Sequence, residues 1–236
     1  MKRADGREPE QMREVTIQAD AFRRNDVLIC YGETKVLCYA SIEERVPQWL
    51  LGAGCGWLTA EYNMLPSAGD PRQQRERQGA SGRTKEIQRL IGRGLRAAIN
   101  LDALPPLTLR VDCDVISADG GTRTAGLTGA MIALCNLLQQ ESGRFKGPVA
   151  KCLAAAVSAG IVAGEPVLDL NYVEDRDAEV DANIIGLSSG GFADVQVTGE
   201  HGTFSREQLD SILDLAAPTL ERLFELQREH IRLPSV

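Results

Sequence analysis

Two arginines stand where an anion could be held. Arg83 follows Ser81 and Gly82, the expected N-cap region of a helix in which Ile87, Leu90, Ile91, Leu95, Ala98 and Ile99 recur at helical spacing. Arg123 follows Gly120-Gly121-Thr122 in the first turn of a second helix, marked by Leu127, Ala130, Met131, Leu134, Leu137 and Leu138. Helix N-termini favour anions through unpaired N–H groups and the macrodipole, and a guanidinium adds a two-pronged fork for phosphate. The glycines let the backbone approach such an anion closely. On its own Gly-Gly-Thr-Arg also reads as a structural turn. Two arginine-bearing helix starts in one small protein bring the phosphate reading level with it.

A third feature is the acidic run from Glu174 to Asp181, set between apolar segments. It reads as a solvated loop. It also reads as a pair of carboxylates, Asp175 and Asp181, projecting toward one site, where they could hold magnesium or protonate a leaving oxygen. The only histidines are His201 and His230, and neither G-x-S-x-G nor G-x-x-x-x-G-K-[ST] occurs. Histidine-activated nucleophiles and P-loop chemistry do not fit. Inorganic phosphate is already an anionic nucleophile, so a phosphorolytic site needs mainly positioning and charge stabilisation, which arginines and a metal could supply.

The elements that must position these residues can be read along the chain. Asp26 to Glu43 predicts a hairpin turning at Gly32-Glu33-Thr34, and Trp57 to Tyr62 a further strand. Asp70 to Ser81 is polar and aperiodic, an exposed loop ahead of the first helix. Leu107, Leu109, Val111, Cys113 and Val115 alternate as a strand running into the glycine turn. Glu141 to Pro148 is linker-like and divides the chain into halves 1–140 and 141–236. Two hairpins follow, Leu153 to Val173 and Ala182 to Thr198. The last helix starts at Ser205 with a capping-box glutamine at Gln208, and Pro218 is expected to interrupt and kink it. Strands, helix, strand, helix, hairpins and helix imply an α/β (α+β) fold with mostly hairpin-built sheets. Each half pairs a hairpin with a following helix, as an old duplication would. Only the first ten or so residues look loose.

With 236 residues, 43% hydrophobic and 25% charged, the chain has ample capacity for a packed core. No apolar run is long enough for a membrane span, and no secretory h-region opens the sequence, so a cytoplasmic location without membrane association is expected. Cys30, Cys38, Cys55, Cys113, Cys135 and Cys152 form no C-x-x-C pair and read as small buried hydrophobes. The net charge of −7 hides a strip from Arg72 to Arg96 in which eight basic residues (Arg77 among them) face two acidic ones, +6 locally and −13 elsewhere. Such a strip suits a polyanion, a solvated helix face or a subunit interface.

Longer stretches resemble the ribonuclease PH family. They are Gly32 to Cys38, Gly56 to Pro66, Gly82 to Arg93, Asp112 to Val115, Ala118 to Ala125, Asp169 to Tyr172, the Glu174 to Asn183 run, Thr198 to Glu200 and Thr203 to Arg206. The resemblance runs from about Asp5 to the last helix. It implies a ribosomal-protein-S5-domain-2-like fold and a phosphorolytic 3′–5′ exoribonuclease that trims tRNA precursors. It also implies a homo-hexameric ring built as a trimer of dimers. In residue terms it implies phosphate contacts from Arg83, Gly121, Thr122 and Arg123, catalytic aspartates at Asp175 and Asp181 with magnesium, and RNA guidance by Arg72 and Arg75. The chain departs from the family pattern at Ser67, where an arginine is usual, and in an arginine loop about two residues short between Arg75 and Gly82. Both departures bear on tRNA-tail recognition and ring assembly. A non-catalytic ring subunit of the exosome type would be expected to lack one or more of Arg83, Arg123, Asp175 and Asp181, and all four are present. A hydrolytic nuclease would need no second phosphate pocket.

Overall fold

The computed structural model describes residues 3–76 and 79–232, so Arg77 of the basic strip lies outside the described residues. Strands β1 (Val15–Ala19), β2 (Asp26–Tyr31), β3 (Thr34–Glu43), β4 (Trp57–Met64) and β5 (Thr108–Ser117) form one sheet in the order β1-β2-β3-β5-β4. Strands β6 (Ala154–Val162), β7 (Glu165–Leu168), β8 (Val180–Leu187) and β9 (Phe192–Gly199) form a second, ordered β7-β6-β8-β9. Helices α1 (Gly82–Ala98) and α2 (Thr122–Gln140) lie between the sheets, and α4 (Arg206–His230) packs on the second sheet and on β1. The mixed α/β architecture is the one expected from the element order. One buried apolar cluster runs through both sheets and all three long helices.

The pairing of β4 with β5 is parallel, and α1 is its crossover. This is the departure from hairpin construction that builds the site. Parallel strands end at the same edge, with Met64 opposite Val115, so the chain leaving each strand leads to a helix start on one side of the molecule. The spacing of α2 fits its place: Thr122, Ala125, Gly129, Ile132 and Asn136 are buried along with the expected leucines, because the helix is covered on both faces.

Three expectations are corrected. The hairpin strand expected to reach Val173 ends at Leu168, and the acidic run begins inside a short helix, α3 (Tyr172–Asp177). Asn171 accepts from the Glu174 N–H at 3.0 Å while the Glu174 carboxylate accepts from the Asn171 N–H at 3.0 Å, a reciprocal cap that nucleates the turn. Pro218 does not interrupt α4, which is helical throughout. The first described residues are not loose: Arg3 is buried, donates to both Glu174 carboxylate oxygens at 2.8 and 2.6 Å, and caps the carbonyls of Leu168 and Asp169 at 2.9 Å each. Removing one member of a buried ion pair strands the other charge. Arg3→Met is therefore expected to lower unfolding free energy by roughly 3–5 kcal/mol, read from urea denaturation, with the largest loss of amide protection in α3.

Candidate functional site

Arg83, Gly121, Thr122, Arg123, Asp175 and Asp181 all line one cavity of about 690 Å³ at the edge where β4 and β5 end. Arg72 also lies on its wall, whereas Arg75 is exposed outside it. The remaining cations of the basic strip divide. Arg93 pairs with Asp194 at 2.5 Å, and Arg96 lies 4.8 Å over the Trp57 ring while donating to the Leu58 carbonyl at 3.0 Å. These two hold α1 to its neighbours and are not among the residues that line the cavity.

The two helix starts differ. At α1, Ser81 caps the Thr84 N–H at 3.2 Å, and the Glu76 carboxylate accepts from the Ser81 N–H at 3.2 Å and from the Thr84 hydroxyl at 2.9 Å. These hydrogen bonds hold the Glu76 carboxyl below its usual range. The chain's own carboxylate thus fills the anion-favouring end of α1, leaving Arg83 as that helix's contribution. At α2 the N-cap is Gly121, in the left-handed region at φ 66°, and no side chain caps the first turn. Its N–H groups open on the cavity beside Arg123.

The glycine turn is fixed from three sides. Gly120 has φ 75°, and a Cβ there would sit 2.4 Å from the Leu170 carbonyl oxygen, so only glycine allows the turn to rest on the segment entering α3. The Thr34 hydroxyl donates to the Gly120 carbonyl at 2.6 Å and accepts from the Asp119 N–H at 2.9 Å. Arg13 donates to the Asp119 carbonyl and, through Nη2 and Nε, to the Asp169 carboxylate at 2.7 and 2.8 Å. Asp169 precedes α3, so one guanidinium ties the turn before Arg123 to the segment that carries Asp175. Behind the turn the buried Tyr62 hydroxyl shares a 2.8 Å hydrogen bond with the Thr122 hydroxyl, and burial pushes the Tyr62 phenol up. Arg13, Asp169, Thr34 and Tyr62 were not singled out as site residues. Arg13 has no local signal in sequence, and Thr34 reads only as a turn residue.

Asp181 stands at the start of β8, where the Asn183 amide donates to its two carboxylate oxygens at 3.5 and 3.3 Å. Burial pushes its carboxyl up to about 6, the Asp175 charge adds to the rise, and the Arg123 charge opposes it. One carboxyl in the cavity therefore keeps its proton to a higher pH than an exposed aspartate would. Among the described residues no group of three or more His, Cys, Asp or Glu side chains is placed to hold a metal ion. The Asp175 and Asp181 pair still suits magnesium, which takes one or two carboxylates and completes its shell with water and phosphate oxygens.

A sheet pair with two helix starts at its carboxyl edge, an uncapped glycine turn with an arginine, and a protonatable aspartate together define a site for chemistry on phosphate esters. The models of the 3′ exoribonuclease family match residues 11–138 (domain 1) and 152–218 (domain 2), and the chain belongs to that family. It is 48% identical over 232 residues to the protein named Ribonuclease PH from Parasynechococcus marenigrum (strain WH8102), covering 96% of this chain and 93% of that one. Among solved structures, rice (Oryza sativa) Rrp46 superposes with a TM-score of 0.77 at 21% identity, covering 96% of this chain and 98% of that one. The Archaeoglobus fulgidus exosome with RNA bound to the active site gives 0.78 at 19% identity, covering 95% and 92%. At such identities these two show the fold.

Proposed function

We propose that this chain is a phosphorolytic 3′–5′ exoribonuclease that trims the 3′ end of tRNA precursors. The observation that carries the reading is the meeting, in one cavity, of an uncapped helix start bearing Arg123 with the raised carboxyl of Asp181. Inorganic phosphate is held by Arg83, Arg123, the Thr122 hydroxyl and the backbone at Gly121. One of its oxygens attacks the phosphorus of the last phosphodiester; the bond from phosphorus to the 3′ oxygen breaks. Asp181, the carboxyl that retains a proton, gives it to that oxygen. A nucleoside diphosphate leaves, and the RNA is one nucleotide shorter with a 3′ hydroxyl. The step is reversible, so nucleoside diphosphates extend RNA at the same site. Asp175, joined by Asp181 once it has given up its proton, would hold magnesium, which would neutralise charge on the phosphoryl oxygens.

Arg72 and Arg75 are exposed on the loop before α1 and lead the RNA backbone toward the cavity. The working assembly is a homo-hexameric ring, a trimer of dimers. The halves 1–140 and 141–236 contribute the phosphate turn and the acidic residues respectively. A cytoplasmic location suits the six free cysteines, four of them buried. Among the described residues no helix is long and apolar enough to cross a membrane.

Incubation with 3′-extended tRNA, with and without phosphate, tests the activity. Nucleoside diphosphates appearing only with phosphate are expected; monophosphates, or full activity without phosphate, would overturn the reading. Replacing Arg72 and Arg75 together with alanine is expected to weaken tRNA binding. Each lost phosphate contact should flatten the log-log salt dependence of binding by about 1. Light scattering on the same sample separates this from loss of the ring.

A further inference from the structure

Ser158 lies in the middle of β6 and is 4% exposed, yet it lines the cavity that holds Arg123 and Asp181. Its hydroxyl oxygen is buried without a hydrogen-bond partner, which is rare for a buried polar atom. The other buried side-chain atoms without partners, on Arg7, Asn25 and Gln227, belong to residues outside the cavity wall.

The register of the second sheet says which way Ser158 points. Ser158 pairs with Asn183 and Gly160 with Asp181, in antiparallel strands. Directly opposed residues project from the same face, their Cβ atoms about 4.5–5.5 Å apart. Ser158, Asn183 and Asp181 therefore share the face that meets α1 and α2.

The groups around the hydroxyl identify the partner it needs. On the β7 side, Asp169 donates its N–H to the Ser158 carbonyl at 2.7 Å, and both its carboxylate oxygens are taken by Arg13 and Arg7. On the β8 side, the Asn183 amide is a donor already aimed at Asp181. The uncapped start of α2 and the Arg123 guanidinium offer donors only. The Asn183 amide oxygen and the Asp181 carboxyl also share this face, but the Ser158 hydroxyl is hydrogen-bonded to neither. An acceptor that would satisfy it together with Arg123 and the α2 N–H groups is an anionic oxygen entering the cavity.

We infer that Ser158 is a further phosphate-contacting residue, whose hydroxyl donates to an oxygen of the phosphate held at the start of α2. This rests on the phosphorolytic reading above and extends the phosphate pocket from the first sheet's edge onto the floor of the second sheet. It also explains a polar residue in the otherwise apolar run of β6, where Ala154, Ala155, Ala156, Val157 and Ala159 are all buried.

The test is Ser158→Ala, with Ser158→Cys as a weak-donor control of similar size. The KM for inorganic phosphate should rise about tenfold, the worth of one charge-assisted hydrogen bond, with the KM for RNA unchanged. Without phosphate the melting temperature should be unchanged or higher, because an unpaired buried hydroxyl is gone. The rise in melting temperature on adding phosphate should shrink. A lower melting temperature without phosphate combined with an unchanged phosphate KM would make the hydroxyl structural and overturn the inference. A rise in the RNA KM alone would overturn it too. If wild-type degradation needs no phosphate, the pocket itself is misassigned. If wild type needs phosphate and Arg123→Ala raises its KM while Ser158→Ala does not, only the role of Ser158 falls.

Discussion

Asp181→Asn is expected to stop phosphorolysis and yet make the folded protein more stable above pH 6. The loss of rate should be on the order of 10²–10⁴-fold, the range for removing a positioned general acid. The gain in stability follows from the carboxyl's position. Its pKa rises from 3.8 in the unfolded chain to about 6 in the folded one, because burial and the Asp175 charge disfavour the ionised form. Folding therefore costs free energy wherever this group must be ionised. This carboxyl's contribution to stability is most favourable below pH 4, where it is protonated in both states, and falls as pH rises from about 4 to 6. Asparagine removes that cost, keeps an oxygen for the Asn183 amide and adds no charge. The expected gain is about 1–3 kcal/mol at pH 8, fading below pH 4. Thermal unfolding across pH with a chelator present reads it directly. Full activity in the variant would remove Asp181 from the acid role, and a stability loss at pH 8 would mean the carboxylate is held by more than the Asn183 amide.

Arg123→Ala should have the second large effect, this time on the use of phosphate. Arg83 and the open N–H groups of α2 remain, so phosphate still binds, but without its charged fork at the helix start. A charge-assisted hydrogen bond contributes about 1.5–3 kcal/mol, and two from one guanidinium raise the phosphate KM by on the order of 10²-fold or more. RNA affinity without phosphate should change less than about threefold, since the proposed reading gives the RNA backbone to the Arg72 loop. Steady-state kinetics at varied phosphate, with RNA binding measured separately, checks both halves of the expectation. An unchanged phosphate dependence would place the pocket elsewhere.

The helix starts that carry Arg83 and Arg123 were legible in the sequence for physical reasons, whereas the run holding Asp181 read from its residues as a solvated loop. Ser81 and Gly121 mark helix starts because capping and left-handed turns are local, and the leucines behind them repeat with the helix. What sets the arginines in one cavity was less visible, since the parallel pairing of β4 with β5 joins segments about fifty residues apart. Helix α3 has six residues, too few for a periodic signal, so its capping box at Asn171 and Glu174 was read as part of a strand and a loop. Glu76 gave no hint that it fills the start of α1. Ser158 was hidden by its neighbours, because a single serine in an alanine-rich strand reads as core. Arg3 and Arg13 were the hardest, as cations whose acidic partners Glu174 and Asp169 lie far along the chain.

That distance has a consequence for how the enzyme comes into being. Arg3 is synthesised before its partner Glu174, which follows 171 positions later. The glycine turn at Gly120 and Gly121 leans on Leu170 and is tied through Arg13 to Asp169. The emerging chain therefore carries its glycine turn well before it makes the segment that holds that turn in shape. Closing so long a loop waits on late synthesis. A nascent chain surrounded by RNA is thus expected to stay catalytically silent until the segment that begins at Asp169 has been made.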